Sequence, residues 1–254
     1  MKIAIIGAGN MGGAIAAGLA DSNYEITVAN PSRPKLEALA EAHKSIKITI
    51  DNTEAAAGAS VVFIATRPAA CLDVIRDIEP VLLPEALVVT MAPGVDLAES
   101  AAAALRPVAR IMPNTAIALS KSMTFVSFGQ GVSEKSRAGL MDILGLLGNV
   151  AEIPENLFGP ATALCSCGLA YALRYVRAAS EGAVAMGFRP ADAVSYIAAT
   201  LSGAVAMLEN GSHPEELIDR ITTPGGTTIR GLLAMEKAGF TNAVVSGLLA
   251  SSHE

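Results

Sequence analysis

Tryptophan is absent, and aromatic residues supply only 4% of the 254 residues. The interior must therefore be built from small aliphatic side chains, which suit close helix–helix and helix–sheet contact. Histidine is scarce: His43, His213 and His253 stand alone, and no metal site is expected. The cysteines, Cys71, Cys165 and Cys167, are odd in number, and Cys165-Ser166-Cys167 has the wrong spacing for a zinc knuckle or a redox pair. They read as small buried thiols in a reducing cytoplasm. Lys and Arg occur only as scattered pairs in a chain of formal charge −6, which excludes a nucleic-acid footprint. No stretch of about 18 residues is apolar without interruption. The nearest, Ala193–Leu208, is broken by Ser195, Tyr196, Thr200 and Ser202, so no membrane span is expected. Met1-Lys2-Ile3 passes straight into a strand pattern, without the form of a signal peptide.

What is present is 52% apolar, and it begins with an organised motif. Lys2–Ile6 is a β-branched run of the kind buried on both sheet faces. It enters Gly7-Ala8-Gly9-Asn10-Met11-Gly12, followed by an Ala-rich helix predicted over Gly13–Asp21. Strand, glycine turn and helix in that order form a dinucleotide-binding fingerprint. Gly7 permits the turn, Gly9 lets the backbone approach a pyrophosphate, and Gly12 lets helix and strand pack closely. The second strand, Glu25–Asn30, ends in Asn30 where an NAD site usually carries Asp or Glu. With no carboxylate to repel a 2′-phosphate, and with Ser32 and Arg33 following, NADPH is the expected cofactor and NADH the alternative. Ser32 also suits the N-cap of the next helix, with Pro34 in its first turn.

Strand and helix patterns then alternate as far as a strand over Val150–Ile153. This predicts a doubly wound, mostly parallel α/β sheet. Ligands sit at the carboxyl ends of such strands. Asn52, Ala65-Thr66-Arg67-Pro68, Ala92 and Asn114 fall there and are candidate cofactor contacts. After Pro154 only helical patterns remain, so the chain divides into a dinucleotide domain, 1–153, and an all-helical half, 154–254. Ala193–Leu208 has no polar face wide enough for solvent, and self-association through this half is the simplest way to cover it.

The helical half contains Arg220–Gly231, read Arg-Ile-Thr-Thr-Pro-Gly-Gly-Thr-Thr-Ile-Arg-Gly. Pro224 pushes Thr223 out of helix, Gly225 and Gly226 allow positive φ, and Thr227 or Thr228 suits an N-cap. A loop of free N–H groups and hydroxyls at a helix start fits a small anion such as a carboxylate.

This combination resembles the pyrroline-5-carboxylate reductase family. The likeness rests on Ile6–Gly12, on Met112-Pro113-Asn114-Thr115 and, most specifically, on Asp219–Met235. It implies NAD(P)H-dependent reduction of 1-pyrroline-5-carboxylate to L-proline by a dimer with interlocked helical halves, often assembled into a ring of dimers. It further implies that the Thr228 hydroxyl contacts the ring nitrogen and that N–H groups of Gly225, Gly226 and Thr227 hold the carboxylate. Thr223 adds a hydroxyl, and Arg220 either adds charge or is a solvated helix end. A protonated imine needs placement rather than a strong general acid. In agreement, the only lysine after Lys135 is Lys237, which disfavours chemistry that must protonate a carbonyl oxygen. The family usually has Lys at Arg67 and Ser-Gly-Ser-Gly-Pro-Ala-Tyr where this chain reads Cys165-Ser166-Cys167-Gly168-Leu169-Ala170-Tyr171. Loss of that Pro and Gly predicts a straighter helix. Two other readings stay open: a related NADP-dependent reductase of another cyclic imine, and a catalytically silent NADP(H) sensor.

Overall fold

The computed structural model describes residues Met1–Ser252, so His253 lies outside the described residues. It divides into two compact units, one over Met1–Thr162 and one that begins at Ala163.

The first unit is built on eight strands in the order β3-β2-β1-β4-β5-β6-β7-β8. They are β1 (Lys2–Ile6), β2 (Glu25–Ala29), β3 (Lys47–Thr49), β4 (Val61–Ile64), β5 (Leu87–Thr90), β6 (Val108–Met112), β7 (Ser122–Phe128) and β8 (Gly148–Glu152). Every neighbouring pair is parallel except β6 with β7. The helices of this unit are α1 (Asn10–Leu19), α2 (Arg33–Ala42), α3 (Asn52–Ala56), α4 (Pro68–Ile78), α5 (Leu97–Ala104), α6 (Glu134–Gly145) and the single turn α7 (Phe158–Ala161). Alternation along β1 sends Ile3 and Ile5 into one apolar cluster and Ala4 and Ile6 into the other, so the sheet is covered on both faces. The doubly wound, mostly parallel sheet expected from the alternating pattern is the one found. Strand order reverses beside β1, where the chain crosses from β3 back to β4, and such a switch point is where an open sheet binds ligands.

The segment beyond Pro154 stays with the sheet unit for a definite reason. Arg110 on β6 is only 7% exposed, and a buried guanidinium needs a partner. Glu155 Oε1 takes a hydrogen bond from Arg110 Nη1 at 3.1 Å and another from the Leu97 N–H at 2.8 Å. The guanidinium also lies 4.7 Å from the centroid of the Phe158 ring.

The second unit is helical: α8 (Gly168–Ala185), α9 (Pro190–Glu209), α10 (Pro214–Ile221), α11 (Thr227–Lys237) and α12 (Phe240–Ala250). Residues Thr162–Cys167 ahead of α8 form a π-helix, not the straighter α-helix expected from the missing Pro and Gly. The hydrogen-bond ladder is already shared there. The Thr162 N–H reaches both Phe158 O and Gly159 O, and its hydroxyl also donates to Phe158 O at 2.8 Å. A hydroxyl bonded back onto the i−4 carbonyl loosens the ladder at the point where it widens. Tyr171 Oη then ties α8 to α12 through Gly247 O at 3.2 Å and Ser251 Oγ at 2.5 Å. Helix α9 has the length and apolarity of a membrane span, with a mean hydropathy of 1.4, and only 6% of that window is buried inside the chain.

Glu155→Ala leaves Arg110 buried without its carboxylate, and should lower unfolding free energy by about 2 kcal/mol or more. Arg76→Ala, which breaks an exposed pair with Asp73, should hardly move the urea midpoint. Equal midpoints for the two variants would contradict the role given to Glu155.

Candidate active site

Strand β1 delivers Gly7 at φ +109, a conformation that only glycine adopts without strain. The Gly7 N–H is fixed to Ala29 O at 2.7 Å, which continues the ladder from β1 to β2. Helix α1 begins at Asn10, earlier than the predicted Gly13, and its N-cap is Gly9. No side chain caps it, and its first backbone bond runs from Gly13 N to Gly9 O at 2.8 Å. The N–H groups of Asn10, Met11 and Gly12 therefore point out of the helix start toward whatever binds there. A Cβ added to Gly12 would collide with the Gly7 carbonyl oxygen and crowd Ala65 Cβ at 2.8 Å, so this glycine is what lets α1 sit on the turn. A Cβ added to Gly9 would meet nothing within 4 Å, so the space over Gly9 is open.

The Ala8 N–H is not available to a ligand in the same way. It donates to Asn30 Oδ1 at 3.1 Å, while Asn30 Nδ2 donates to Ser32 O at 3.3 Å. Ser32 stands at the N-cap of α2 but makes no side-chain cap bond, and Pro34 lies in the first turn as expected. Arg33 is exposed and makes no ion pair within the described residues. It lines a cleft of about 270 Å³ with Leu36, Ile48, Ile50 and Glu54. Asn52 opens α3, whose N-cap Asp51 accepts from the Thr53 N–H at 2.8 Å and the Glu54 N–H at 3.3 Å. The hydrogen bond from the Thr53 side chain, with those two N–H groups, holds the Asp51 carboxyl below its ordinary range.

At the end of β4, Ala65 and Thr66 are half-buried, and the Thr66 hydroxyl has no hydrogen-bond partner among the described residues. Arg67 is the exposed N-cap of α4, and Pro68 is its first residue. Ala92 is 1% exposed, with its N–H directed to Thr90 Oγ1 at 3.4 Å. Asn114 is buried, and its Oδ1 accepts from Ala116 N at 3.0 Å to start a 3-10 turn. An uncapped helix start, open space over Gly9, an orphaned buried hydroxyl and an unpaired arginine fit a phosphorylated dinucleotide.

In the helical unit, Gly226 N donates to Thr223 O at 2.9 Å, and Gly225 has φ +70. With Pro224 before it, this is a type II turn, which demands glycine at that third position. The N-cap of α11 is Gly226, not Thr227 or Thr228. The turn closes one residue too early for either threonine to cap, so both fall in the first helical turn. Neither their hydroxyls nor that of Thr223 makes a hydrogen bond within the described residues, and all three residues are exposed. A Cβ on Gly226 would meet Thr223 Oγ1 and displace that hydroxyl from its present position. Arg220 is an exposed residue in the last turn of α10, the favourable end for a cation. Burial pushes the thiols of Cys71 and Cys165 up, away from the thiolate a nucleophile needs. No group of His, Cys, Asp and Glu suited to a metal occurs among the described residues.

Comparison with known proteins bears on both units. The family model described as pyrroline-5-carboxylate reductase dimerisation matches residues 155–254. The one described as NADP oxidoreductase coenzyme F420-dependent matches residues 2–94. Pyrroline-5-carboxylate reductase 2 of Dictyostelium discoideum is 33% identical over 276 residues, covering 100% of this chain and 91% of the relative. The chain spans only 48% of reductase 1 from the same organism, at 32% identity and 98% of its own length. The solved pyrroline-5-carboxylate reductase of Coxiella burnetii superposes with a TM-score of 0.91 at 27% identity, over 98% of this chain and 95% of that one. The Plasmodium falciparum enzyme, solved with NADP bound, gives 0.86 at 24% identity, over 99% and 95%.

Two glycines of one motif should respond differently to alanine. Gly12→Ala must displace the Gly7 carbonyl and should destabilise the protein by about 2 kcal/mol or more. Gly9→Ala should leave the melting temperature within about a degree or two and weaken dinucleotide binding at least about tenfold, since its methyl fills the open space. Unchanged dinucleotide affinity in Gly9→Ala would show that the space over Gly9 is not the binding site.

Proposed function

This chain belongs to the pyrroline-5-carboxylate reductase family, and we propose that it performs that family's reaction, reduction of 1-pyrroline-5-carboxylate to L-proline. The observation that carries the reading is the glycine-capped start of α11, a helix end left without a side-chain cap behind a Pro-Gly turn. A carboxylate fits there, and the exposed hydroxyls of Thr223, Thr227 and Thr228 surround it.

The cofactor residues we assign are the N–H groups of Asn10, Met11 and Gly12 for the diphosphate, and Ser32 and Arg33 for a 2′-phosphate. NADPH is thus the favoured reductant. When bound, the reduced nicotinamide supplies the hydride that adds to the C=N carbon. The chain's own work is binding and orientation. N–H groups at the start of α11 hold the carboxylate and so fix the ring. The Thr228 hydroxyl accepts a hydrogen bond from the protonated imine N–H, and the product amine keeps that proton, so no side chain must deliver one. The absence of lysine from Thr162–Ala185 fits this economy. Arg67, where the family usually has lysine, keeps a positive charge at the end of β4.

A homodimer covers the exposed apolar side chains of α9, among them Val194, Tyr196 and Val205. The match of residues 155–254 to a dimerisation family supports this occupant over a lipid phase for the same helix. The resemblance extends the assembly to a ring of dimers. Three free cysteines suit a cytoplasmic setting.

Steady-state assay with 1-pyrroline-5-carboxylate, six-membered cyclic imines and both dinucleotides tests the reading, and turnover of the five-membered substrate alone at high efficiency is expected. Thr228→Ala should lower kcat roughly ten- to a hundredfold, the cost of one hydrogen bond at a reacting centre. Because Thr228 is not the N-cap, melting temperature and NADPH affinity should stay at wild-type values, and Thr228→Ser should keep most of the rate. An unchanged kcat in Thr228→Ala would move the contact to Thr227.

Light scattering at micromolar concentration without detergent should give at least a dimer. A stable, active monomer would contradict the role assigned to α9.

A further inference from the structure

Asn30 stands where an NAD site usually carries Asp or Glu, and its side chain bonds to the chain's own backbone. Its Oδ1 takes the Ala8 N–H at 3.1 Å and its Nδ2 reaches Ser32 O at 3.3 Å. These partners settle the orientation of the amide, because an N–H requires an acceptor and a carbonyl requires a donor. The backbone of Asn30 is held as well, since its N–H donates to Thr49 O at 3.2 Å. Backbone bonds anchor the neighbours of each segment, Gly7 N–H to Ala29 O at 2.7 Å and Leu36 N–H to Ser32 O at 3.4 Å, and Asn30 adds the side-chain bonds that reach Ala8 and Ser32 themselves. Ala8 lies between Gly7, at φ +109, and Gly9, whose surroundings are open. Among the described residues Ser32 makes no side-chain bond to its own helix and Arg33 makes no ion pair. One short side chain thus ties the turn that faces a diphosphate to the loop that faces a 2′-phosphate.

We propose that Asn30 is a positioning residue for the cofactor, whose amide sets the glycine turn and the Ser32–Arg33 loop as one unit. Through the first it supports binding of any dinucleotide, and through the second it supports the preference for NADPH. Aspartate cannot replace it, because a carboxylate has only acceptors: it keeps the bond from Ala8 and sets a negative charge against Ser32 O. Alanine loses both bonds. The inference rests on the cofactor reading given above.

Dissociation constants for NADPH and NADH, measured by fluorescence titration of the apoprotein, separate these roles. Asn30→Ala should weaken NADH about tenfold and NADPH further, by about a hundredfold, for loss of one and two supports. Asn30→Asp should bind NADH within about twofold of wild type and lose at least about tenfold for NADPH. In an Arg33→Ala background, Asn30→Ala should cost NADPH only the tenfold it costs NADH, because the loop no longer carries the charge being placed. Amide exchange in the apoprotein gives a readout without cofactor: Ala8 should exchange at least about tenfold faster in Asn30→Ala and near the wild-type rate in Asn30→Asp. An unchanged NADH affinity in Asn30→Ala, the same NADPH loss with and without Arg33, or an unchanged Ala8 exchange rate would each overturn the proposal. Failure of the wild-type protein to bind either dinucleotide would instead overturn the cofactor reading beneath it.

Discussion

A helix start carries N–H groups that no residue of the helix can satisfy, and the use of those groups governs this molecule. Several helices close the account with a side chain. Asp51 caps α3, Asp96 caps α5 with Glu99 completing a capping box, Ser133 caps α6 and His213 caps α10. Others carry no such cap: α2, α4 and α9 have proline in the first turn, and α1, α11 and α12 begin behind Gly9, Gly226 and Gly239, which have no side chain to offer. At α1 and α11, the two starts proposed to take ligands, the donors and the positive end of the dipole face outward. Anions such as a diphosphate or a carboxylate are what such ends accept.

The remainder of each unit keeps these ends in place. Eight strands with apolar clusters on both faces form a rigid platform, and α1 reaches the turn closely because Gly12 has no Cβ. Half-buried Glu155, just beyond β8, joins buried Arg110 on β6 to the start of α5. In the helical unit a type II turn does comparable work, since Pro224 fixes one residue and Gly225 at φ +70 the next. Tyr171 holds α12 against α8 by two hydrogen bonds.

Much of this was legible in the chain because the signals are local. The run Lys2–Ile6, the spacing of Gly7, Gly9 and Gly12, and the Thr-Thr-Pro-Gly-Gly-Thr-Thr sequence each fix a conformation within a few residues. What escaped reading depends on partners distant in sequence or on competition between local preferences. Asn30 and Ala8 are joined across two strand ends, and nothing in either residue's neighbourhood announces the bond. Threonine favours N-caps, yet the Pro-Gly turn closes at Gly226 and takes that position first. The π-helix over Thr162–Cys167 is announced by neither composition nor the loss of Pro and Gly. Arg110 lies in an otherwise apolar strand, and its carboxylate partner comes from beyond Pro154.

Recognition of a carboxylate by the bare start of α11 is the assignment on which the proposed chemistry rests. Calorimetric titration of the protein, saturated with oxidised NADP, with L-proline and with L-prolinamide tests it most directly. The two ligands share ring and amine and differ in the one group at issue. L-prolinamide should bind at least about tenfold more weakly, as expected when a charge-assisted contact is lost. Equal affinities for the two would contradict it.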